Sequence, residues 1–499
     1  MKAGGILLAA AFALALVAGC SDGDGRREFA SLAELDAAGA RIGVEAGTFA
    51  ERMAAERLPR CRREPFLGIV ELYPALEAGK IDAIVYDRPA LEYAALSRPA
   101  FRLLDENAGM GCISVGVRPG AEALLGKVNE FIRTIRADGT YRDMYGRWVL
   151  TRHAKMPDIP EPENPEGEIT VGLCLDQEPM TFMAEDGPSG YDVEFARRLA
   201  LFLNRKPTFA VMEYAAVLAA IPLGKYDLGI AQFDATPERR KVMLMSDPYI
   251  DTPVGVMVRR ADARGKTFLQ FVRDGFRGTF LAERRGLRLL AGLGITLWIT
   301  LWSVFFGTLF AFPVYFALAS RSRALRFAGR AWIEAMQGTP ILVLLMVVFY
   351  GVFVSVAISP ILVAVIVFAA NFSAYVAEMI KSGVAAVGNG QREAARMLGY
   401  GRAAAFCRIV LPQAVLNMLN VYRGQVIALL KDTSVVGYIT VIDLTKAGDL
   451  IRARTYEAFF PLVTTAVIYF LVAKLMAYGF GRLGDRFDPA ARRRTGGAR

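Results

Sequence analysis

Few side chains of the types that catalyse reactions or hold metal ions occur in this chain. It has a single histidine, His153, and five cysteines, at positions 20, 61, 112, 174 and 407. The cysteines lack the paired spacing of a zinc site, and a lone histidine has no partners for a nucleophilic triad. Gly265-Lys266-Thr267 ends like a phosphate loop, but Arg260 stands where that motif needs its first glycine. We therefore expect a non-enzymatic protein with no metal ion and no cofactor in this chain.

The second half of the chain is strongly apolar. Hydrophobic residues make up 54% of the 499 residues, which are enough for roughly three domains of ~150 residues. A bilayer core needs about 20 apolar residues per helix. The sequence therefore predicts a membrane domain at 289–481 with five spans: Leu289–Ser320, two within Gly338–Ala377 that turn near Ser359-Pro360, Leu416–Thr440 and Ala458–Gly481.

The net charge of +10 indicates orientation in a membrane rather than binding of nucleic acid. Arginines cluster in the loops that five spans and an external N-terminus would place inside, and in the tail 482–499, which we expect to be cytoplasmic. Arg284, Arg285 and Arg288 disagree, because they lie on the expected outer side. Residues 263–288 mix phenylalanines with arginines, which is typical of an amphipathic helix in the membrane interface.

The N-terminus resembles a bacterial lipoprotein signal. Lys2 precedes an apolar run from Ile6 to Val17, and the segment ends Val17-Ala18-Gly19-Cys20. The resemblance implies a signal peptide at 1–20 and lipidation of Cys20; an uncleaved anchor is the alternative. Either way, we expect the next domain on the extracytoplasmic side of the bacterial inner membrane.

Two polar stretches predict alternating strands and helices. Arg41-Ile42-Gly43-Val44 and Gly79-Lys80-Ile81-Asp82 resemble phrases from the second lobe of the two-lobed, periplasmic amino-acid-binding proteins that feed ABC importers. Residues 112–150 resemble the C-terminal end of those proteins. After a Pro- and Glu-rich linker at 157–168, phrases such as Gly190-Tyr191-Asp192 and Thr236-Pro237-Glu238-Arg239 resemble their first lobe.

The order of these phrases predicts one circularly permuted binding protein rather than two fragments of separate ones. We expect lobe 2 at 28–110 and lobe 1 at 111–262, because permutation is tolerated where natural termini lie close together. The predicted fold class is thus a two-lobed α/β domain followed by an all-α membrane domain.

A spaced motif occupies the loop before the fourth predicted span. Glu393-Ala394-Ala395, then Gly399 and Ile409-Val410-Leu411-Pro412, resemble the EAA signature of ABC import permeases. Good helix formers run from Gln391 to Leu398, and Gly399 can turn the chain at a helix C-terminus. The resemblance implies a homodimer in which this helix docks on each of two copies of a separate ATPase, which binds the ATP.

The binding-protein resemblance also implies a ligand clamp. It assigns the ligand carboxylate to Arg239 and to Thr48 at a strand-to-helix turn, the ammonium to Asp87, and an aromatic wall to Tyr214. Asp234 departs from the family, which usually has Ser or Thr there. It could favour a cationic or amide side chain, or it could only orient Arg239.

The fourth span contains charges that are costly in lipid. Lys431-Asp432-Thr433 resembles a phrase of polar amino-acid permeases and marks a possible translocation path, but Lys431 and Asp432 could equally only pair with one another. The sequence thus favours the permease subunit of an ABC amino-acid importer with a fused binding domain. The alternatives are a ligand-gated channel, or a transmembrane sensor with a similar ectodomain.

Overall fold

The computed structural model describes residues 28–66, 68–151, 155–260, 268–354, 356, 358–455, 457 and 459–487. The proposed signal peptide 1–20 with Cys20, and most of the tail 482–499, lie outside the described residues. The chain divides into an α/β unit, made of the described parts of Met1–Phe209, Tyr226–Arg277 and Arg452–Ala458, and a helical unit, made of those of Ala210–Lys225, Gly278–Ile451 and Phe459–Arg499.

The α/β unit begins with short strands that alternate with helices. Its first part contains α1 (Leu32–Ala37), β1 (Arg41–Glu45), α2 (Phe49–Arg57), β2 (Arg62–Phe66), α3 (Ile69–Glu77), β3 (Ala83–Asp87), α4 (Arg88–Ser97), β4 (Phe101–Leu103), β5 (Gly109–Val117), α5 (Glu122–Ala137) and α6 (Thr140–Tyr145). After the linker follow β6 (Glu168–Leu173), β7 (Phe182–Ala184), β8 (Gly187–Ser189), α7 (Tyr191–Phe202), β9 (Lys206–Val211), β10 (Leu228–Asp234), α9 (Pro237–Arg240) and β11 (Leu244–Arg259). Helix α8 (Tyr214–Ala220) lies between β9 and β10 in sequence but belongs to the helical unit.

One continuous sheet joins the parts of the chain before and after the linker. Its order is β2-β1-β3-β11-β5-β10-β6-β9, and β4 pairs with β11. The pairs β1–β2, β1–β3 and β10–β6 are parallel, as in layered α/β proteins. The antiparallel strands β5 and β11 run through the middle of the sheet, with Gly109 opposite Val254.

Helices cover both faces of the β1–β3 region. Successive side chains of a strand point to opposite faces, so Ala83 and Val85 of β3 join one buried cluster with Ile42 and Val44. Ile84 and Tyr86 join the cluster on the other face, with Leu72 and Met257 as further members. Burial on both faces explains why this strand is an uninterrupted apolar run.

The helical unit contains the apolar helices of the second half of the chain. Its elements after α10 (Phe268–Phe276, in the α/β unit) are α11 (Arg285–Ala319), α12 (Arg323–Gly338), α13 (Ile341–Met346), α14 (Pro360–Ala386), α15 (Asn389–Met397), α16 (Arg402–Ala405), α17 (Leu411–Asp432), α18 (Leu444–Thr455) and α19 (Phe459–Phe487). Four helical runs in the described residues could cross a membrane by length and composition: Val272–Ala319, Pro360–Ala386, Arg402–Ile439 and Phe459–Arg482.

The two spans expected within Gly338–Ala377 correspond to two helical segments of unequal length on either side of Ser359-Pro360. α14 is a long apolar helix, but the other half is the short helical run Ile341–Val352, which meets α12 at a bend of 106°. The bend falls at Gly338-Thr339-Pro340, where proline cannot continue the hydrogen bonding of the preceding helix. The Asn371 side chain donates to the Met336 carbonyl at 2.7 Å and so satisfies one carbonyl at the helix end. The count is therefore four spans, or five if the bent pair crosses as one.

Helix α15 ends as the sequence predicts. Gly399 follows it with φ +82°, a left-handed conformation that other residues adopt at a cost. The Gly399 amide donates to the Arg396 carbonyl at 3.0 Å, and the Tyr400 amide donates to the Ala395 carbonyl at 3.0 Å. The motif glycine thus closes the helix and redirects the chain.

Candidate ligand cleft and coupling helix

The carboxyl ends of the parallel strands β1 and β3 carry the first group of candidate ligand residues. β1 ends at Glu45, and Gly47 (φ +76°) turns the chain into α2, whose N-cap is Thr48. The Thr48 hydroxyl accepts from the Glu51 amide at 3.3 Å and donates to the Glu45 carbonyl at 2.7 Å. The Thr48 hydroxyl, which is predicted to bind the ligand, therefore also stabilises the start of α2.

Arg239 lies where the two parts of the α/β chain meet. Its guanidinium donates to the Asp234 carbonyl at 3.1 Å and to the Gly47 carbonyl at 3.0 Å. Thr236, the N-cap of α9, accepts from the Arg239 amide and helps to fix this position. The structure thus brings Arg239 to the Gly47-Thr48 turn, as the clamp requires.

Asp234 also lies beside the Gly47-Thr48 turn, but its carboxylate makes a contact that the sequence did not predict. Oδ2 accepts a hydrogen bond from the Phe49 amide, in the first turn of α2, at 3.0 Å. Oδ1 is buried without a hydrogen-bond partner, and the residue is only 6% exposed. Burial raises the pKa of Asp234 to about 6, although the Arg239 charge opposes the rise. Asp234 therefore orients Arg239 through its main-chain oxygen and places its carboxylate at the helix N-terminus.

Asp87 ends β3 and lies close enough to Asp234 to be affected by its charge. Burial raises the pKa of its carboxyl to about 7, the Asp234 charge adds to the rise, and a hydrogen bond with Gln177 opposes it. Asp87 and Asp234 come from β3 and β10, on the two sides of the crossing strands. The structure thus places Asp234 and Arg239 at the Gly47-Thr48 turn and Asp87 near Asp234, and we call this group of residues the candidate ligand cleft.

Two further carboxylates in this cleft carried no motif in the sequence. Glu45 is 4% exposed, and burial together with the charges of Asp176 and Asp87 raises its pKa well above the usual range. Asp176 follows β6, so it also stands beyond the carboxyl end of a parallel strand. That position is the general signal that could have found both residues.

A buried network stands beside the cleft. Asp192 is fully buried, and its two oxygens accept from the Tyr249 hydroxyl at 2.7 Å and the Gln232 side-chain amide at 2.6 Å. Burial raises the pKa of Asp192 to about 7. Since both oxygens have partners, this motif aspartate supports the structure rather than facing a ligand. Gln232 has a backbone φ of +57°, a strained value for a residue other than glycine.

The remaining candidates belong to the helical unit. Tyr214 begins α8, and its place in the ligand wall stays a prediction. At the end of α17, Lys431 is exposed, Asp432 is half-buried, and the buried Thr433 hydroxyl donates to the Leu430 carbonyl at 2.8 Å. The role of these three residues in translocation also stays a prediction.

The exposed side of α15 is partly apolar. Glu393 and Ala394 are exposed, whereas Ala395 is buried against the unit. At its end, Met397 is 90% exposed and Leu398 is 76% exposed. Large apolar side chains with such exposure on a short loop helix are typical of a contact surface.

Comparison with known proteins finds relatives of two kinds. The family "Bacterial extracellular solute-binding proteins, family 3" matches residues 169–404. The octopine transport system permease protein OccM of Rhizobium radiobacter is 35% identical over 201 residues, 38% of this chain and 82% of the relative. A probable amino-acid ABC transporter permease, YckA of Bacillus subtilis (strain 168), is 31% identical over 189 residues, 38% of this chain and 84% of the relative.

A solved structure described as an amino acid ABC transporter with histidines is 31% identical and covers 45% of this chain and all of its own, with a TM-score of 0.39. The sequence relatives decide the family, because this chain spans more than four fifths of their length at more than 30% identity. The chain therefore belongs to the family of amino-acid ABC transporter permeases and carries a solute-binding domain in the same polypeptide.

Proposed function

We propose that this chain is the permease subunit of an ABC importer for an amino acid, with its receptor fused to it and a separate ATPase to drive it. The observation that carries the proposal is the exposed helix α15 with its EAA motif, in a chain that also brings Arg239 to the Gly47-Thr48 turn. A channel or a sensor would have no need for such a docking helix.

The coupling step is supported by the surface of α15. Met397 and Leu398 expose apolar side chains to solvent, which is unfavourable unless a partner covers them. The neighbouring Glu393 is exposed and available for polar contacts. Docking of an ATPase here would bury the apolar pair and transmit its closure to the membrane helices. Two copies of each subunit form the complete importer, because four or five spans are too few to enclose a path.

The topology follows from the fusion. The α/β unit lies outside the bacterial inner membrane, where it meets the substrate, and α15 lies on the cytoplasmic side with the ATPase. The arginines of the loops around α12 and α15 support this orientation by their position next to the spans.

The ligand contacts follow from the cleft. Arg239 holds the ligand carboxylate with two parallel hydrogen bonds after it releases the Gly47 carbonyl, and Asp87 accepts from the ammonium. Thr48 and the first amides of α2 add donors for the carboxylate. Because Arg239 and Asp87 come from different sides of the cleft, one ligand bridges them only when the cleft closes.

The clamp is tested with Asp87→Asn and Arg239→Lys. Loss of one partner of a desolvated charge pair costs roughly 2 to 5 kcal/mol, or about 30- to 5,000-fold in affinity. Lysine is expected to fail because an ammonium cannot reproduce the two-pronged contact. Calorimetry on the purified chain should show this loss, and uptake should stop while basal ATPase activity of the complex is unchanged. Near-normal affinity in both variants would mean that the ligand is not held as an α-amino acid.

Transport itself is tested in proteoliposomes. Labelled amino acid should accumulate only when the chain is reconstituted with an ABC ATPase and ATP. ATP-dependent uptake by the chain alone would refute the separate ATPase, and ligand-induced ion currents without ATP would favour a channel.

A further inference from the structure

A cavity of about 370 Å³ lies in the helical unit, where three helices meet. The C-terminal parts of α11 and α14 and the first turn of α15 line it. Its lining contains two cationic side chains, Lys381 of α14 and Arg392 of α15. A volume of this size is sufficient for a small ligand or for the headgroup of a larger one.

The two cations have no acidic partner among the residues that the structure describes. No carboxylate lines the cavity. The Arg392 guanidinium donates to the Val384 carbonyl at 3.4 Å, which is a contact with a neutral group. Glu378, one turn before Lys381 on α14, accepts instead from the Gln337 side-chain amide at 3.0 Å. The cavity therefore holds positive charge for which the described part of the chain supplies no counterion.

The start of α15 adds to the positive potential of the cavity. Its N-cap is Gly388, which has φ +72° and no side chain to accept hydrogen bonds from the first amides of the helix. The first turn of α15 contains no acidic residue either. The first amides of a helix lack acceptors within the helix, and the helix dipole favours an anion there. Because Asn389, the first residue of α15, also lines the cavity, this helix end borders the same space as the two cations.

We propose that this cavity binds a phosphate group, and that the group belongs to the headgroup of an anionic phospholipid such as phosphatidylglycerol. Phosphate oxygens accept charge-assisted hydrogen bonds from guanidinium, ammonium and backbone N–H groups, which are the donors that meet here. The site is separate from the candidate ligand cleft, which lies in the α/β unit. It rests on the proposed function only in that this end of the helical unit lies at the cytoplasmic face of the membrane.

The apolar part of the lining favours a lipid over a soluble phosphate. Leu318 and Ala319, at the end of α11, line the cavity, and α11 belongs to a helical run that could cross a membrane. Phe316, also near the end of α11, is exposed. The exposed Arg321 and Arg323 follow α11 directly. The cavity thus lies where an apolar helix surface gives way to basic residues, which is the level of the headgroups in a bilayer.

A phospholipid gains from both parts of this surface. Its phosphate neutralises Lys381 and Arg392, while its acyl chains cover the apolar end of α11. Inorganic phosphate gains only the first contribution. A headgroup in the cavity also contacts α11, α14 and α15 together, so its binding should hold the start of α15 against the two membrane helices.

The test titrates the purified full-length chain, in a neutral detergent, with the water-soluble lipid dihexanoyl phosphatidylglycerol. Calorimetry should show saturable binding at one site per chain. Dihexanoyl phosphatidylcholine, whose choline cancels the phosphate charge, should bind at least about fivefold less tightly. Lys381→Gln and Arg392→Gln should each weaken the binding of the phosphatidylglycerol at least about fivefold.

Arg323→Gln is the matched control, because Arg323 is an exposed arginine near the same end of α11 that does not line the cavity. It should leave the affinity within about twofold. If Arg392→Gln fails to fold without its contact to Val384, Lys381→Gln still decides. Equal affinity for the two lipids, or unchanged affinity in Lys381→Gln, would overturn the inference.

Two soluble probes distinguish the sources of the phosphate. Inorganic phosphate and glycerol 3-phosphate should each bind at least about tenfold less tightly than the phosphatidylglycerol. Equal affinity for either of them would overturn the assignment to a lipid. The titrations contain no ATPase, ATP or amino acid, so a negative result leaves the proposed function intact. Failure of amino-acid uptake in proteoliposomes, in turn, would leave the lipid titration as it stands.

Discussion

Asp234 stands where the carboxylate of a ligand is expected. Its Oδ2 accepts a hydrogen bond from the Phe49 amide at the start of α2, and helix N-termini favour anions. An incoming α-carboxylate must therefore share or displace this contact. The residue that departs from the family is thus the one most able to adjust which amino acids the cleft accepts.

Replacement of Asp234 by serine, the type usual in the family, should leave amino-acid binding intact or stronger. We expect the order of preference among side chains to change, because the buried negative charge disappears while Arg239 keeps its contact with the main-chain oxygen of residue 234. Calorimetry with the twenty amino acids measures this. Asp247→Ser, at an exposed ion pair with Arg133, is the control. Complete loss of binding would show instead that Asp234 is essential to the clamp.

Binding should also depend on pH through Asp87. Burial raises its pKa to about 7, the Asp234 and Asp192 charges add to the rise, Gln177 opposes it, and Glu45 faces it from β1. Only the ionised carboxylate attracts an ammonium, which itself stays protonated in this range. Affinity should therefore increase as the pH rises from about 6 to 8, and binding near pH 7 should release protons.

Calorimetry in two buffers of different ionisation enthalpy separates the heat of ligand binding from the heat of proton release. The apparent enthalpy should differ between the buffers at pH 7 in the sense of proton release. Constant affinity across this pH range, with no proton exchange, would contradict the assignment of the ammonium to Asp87.

Sequence reasoning found the residues that lie in motifs and missed those that depend on tertiary burial. Arg239 and Asp87 end recognisable phrases, and the structure places both near Asp234, where their ligand roles stay predictions. Glu45 has no such phrase, and it matters only because β1, β3 and the segment after β6 converge. A linear pattern cannot report that convergence or the desolvation it causes.

Among the elements, α15 offers the clearest test of coupling. Gly399→Ala forces a side chain into φ +82°, at a cost of roughly 1 to 2 kcal/mol. We expect the end of α15 to shift, so that ATP hydrolysis continues without uptake while ligand binding is unchanged. Glu393→Ala should act in the same direction. The ratio of transported substrate to hydrolysed ATP is the measurement.

Gly401→Ala is the matched control, because Gly401 has φ −62° and an added Cβ would meet nothing within 4 Å. It should transport normally. An equal loss of ligand binding and coupling in Gly399→Ala would indicate a folding defect instead.

The membrane helices show what apolar length alone can predict. It correctly indicated α11, α14, α17 and α19, although α17 also contains Arg423, Lys431 and Asp432. It did not indicate the bend of 106° at Gly338-Thr339-Pro340, where the proline breaks the helix and the side chain of Asn371 donates to the Met336 carbonyl. Composition counts residues, whereas the path of a helix depends on where its backbone groups find hydrogen bonds.

At the scale of the whole chain, the predicted permuted order implies that the binding domain can fold without the membrane helices. Residues 28–262 contain the eleven strands found in the described part of the chain, and β5 and β11 connect the two sides of one sheet. Expressed alone, this fragment should fold as one soluble two-lobed protein that binds a single ligand. Calorimetric stoichiometry and size-exclusion chromatography measure this. Two independent sites, or two separately folding pieces, would favour the alternative that the chain contains fragments of two separate binding proteins.

β11 ends at Arg259 and α10 begins at Phe268, so only the eight residues 260–267 separate the last strand from the helix before the first apolar span. A binding domain in the same polypeptide as its permease is present at an effective concentration on the order of millimolar near it. Docking of receptor to permease thereby becomes an intramolecular step. The rate of uptake should then be insensitive to how much separate receptor the cell produces, and the proposed dimer should always have two receptors competing for the same entrance.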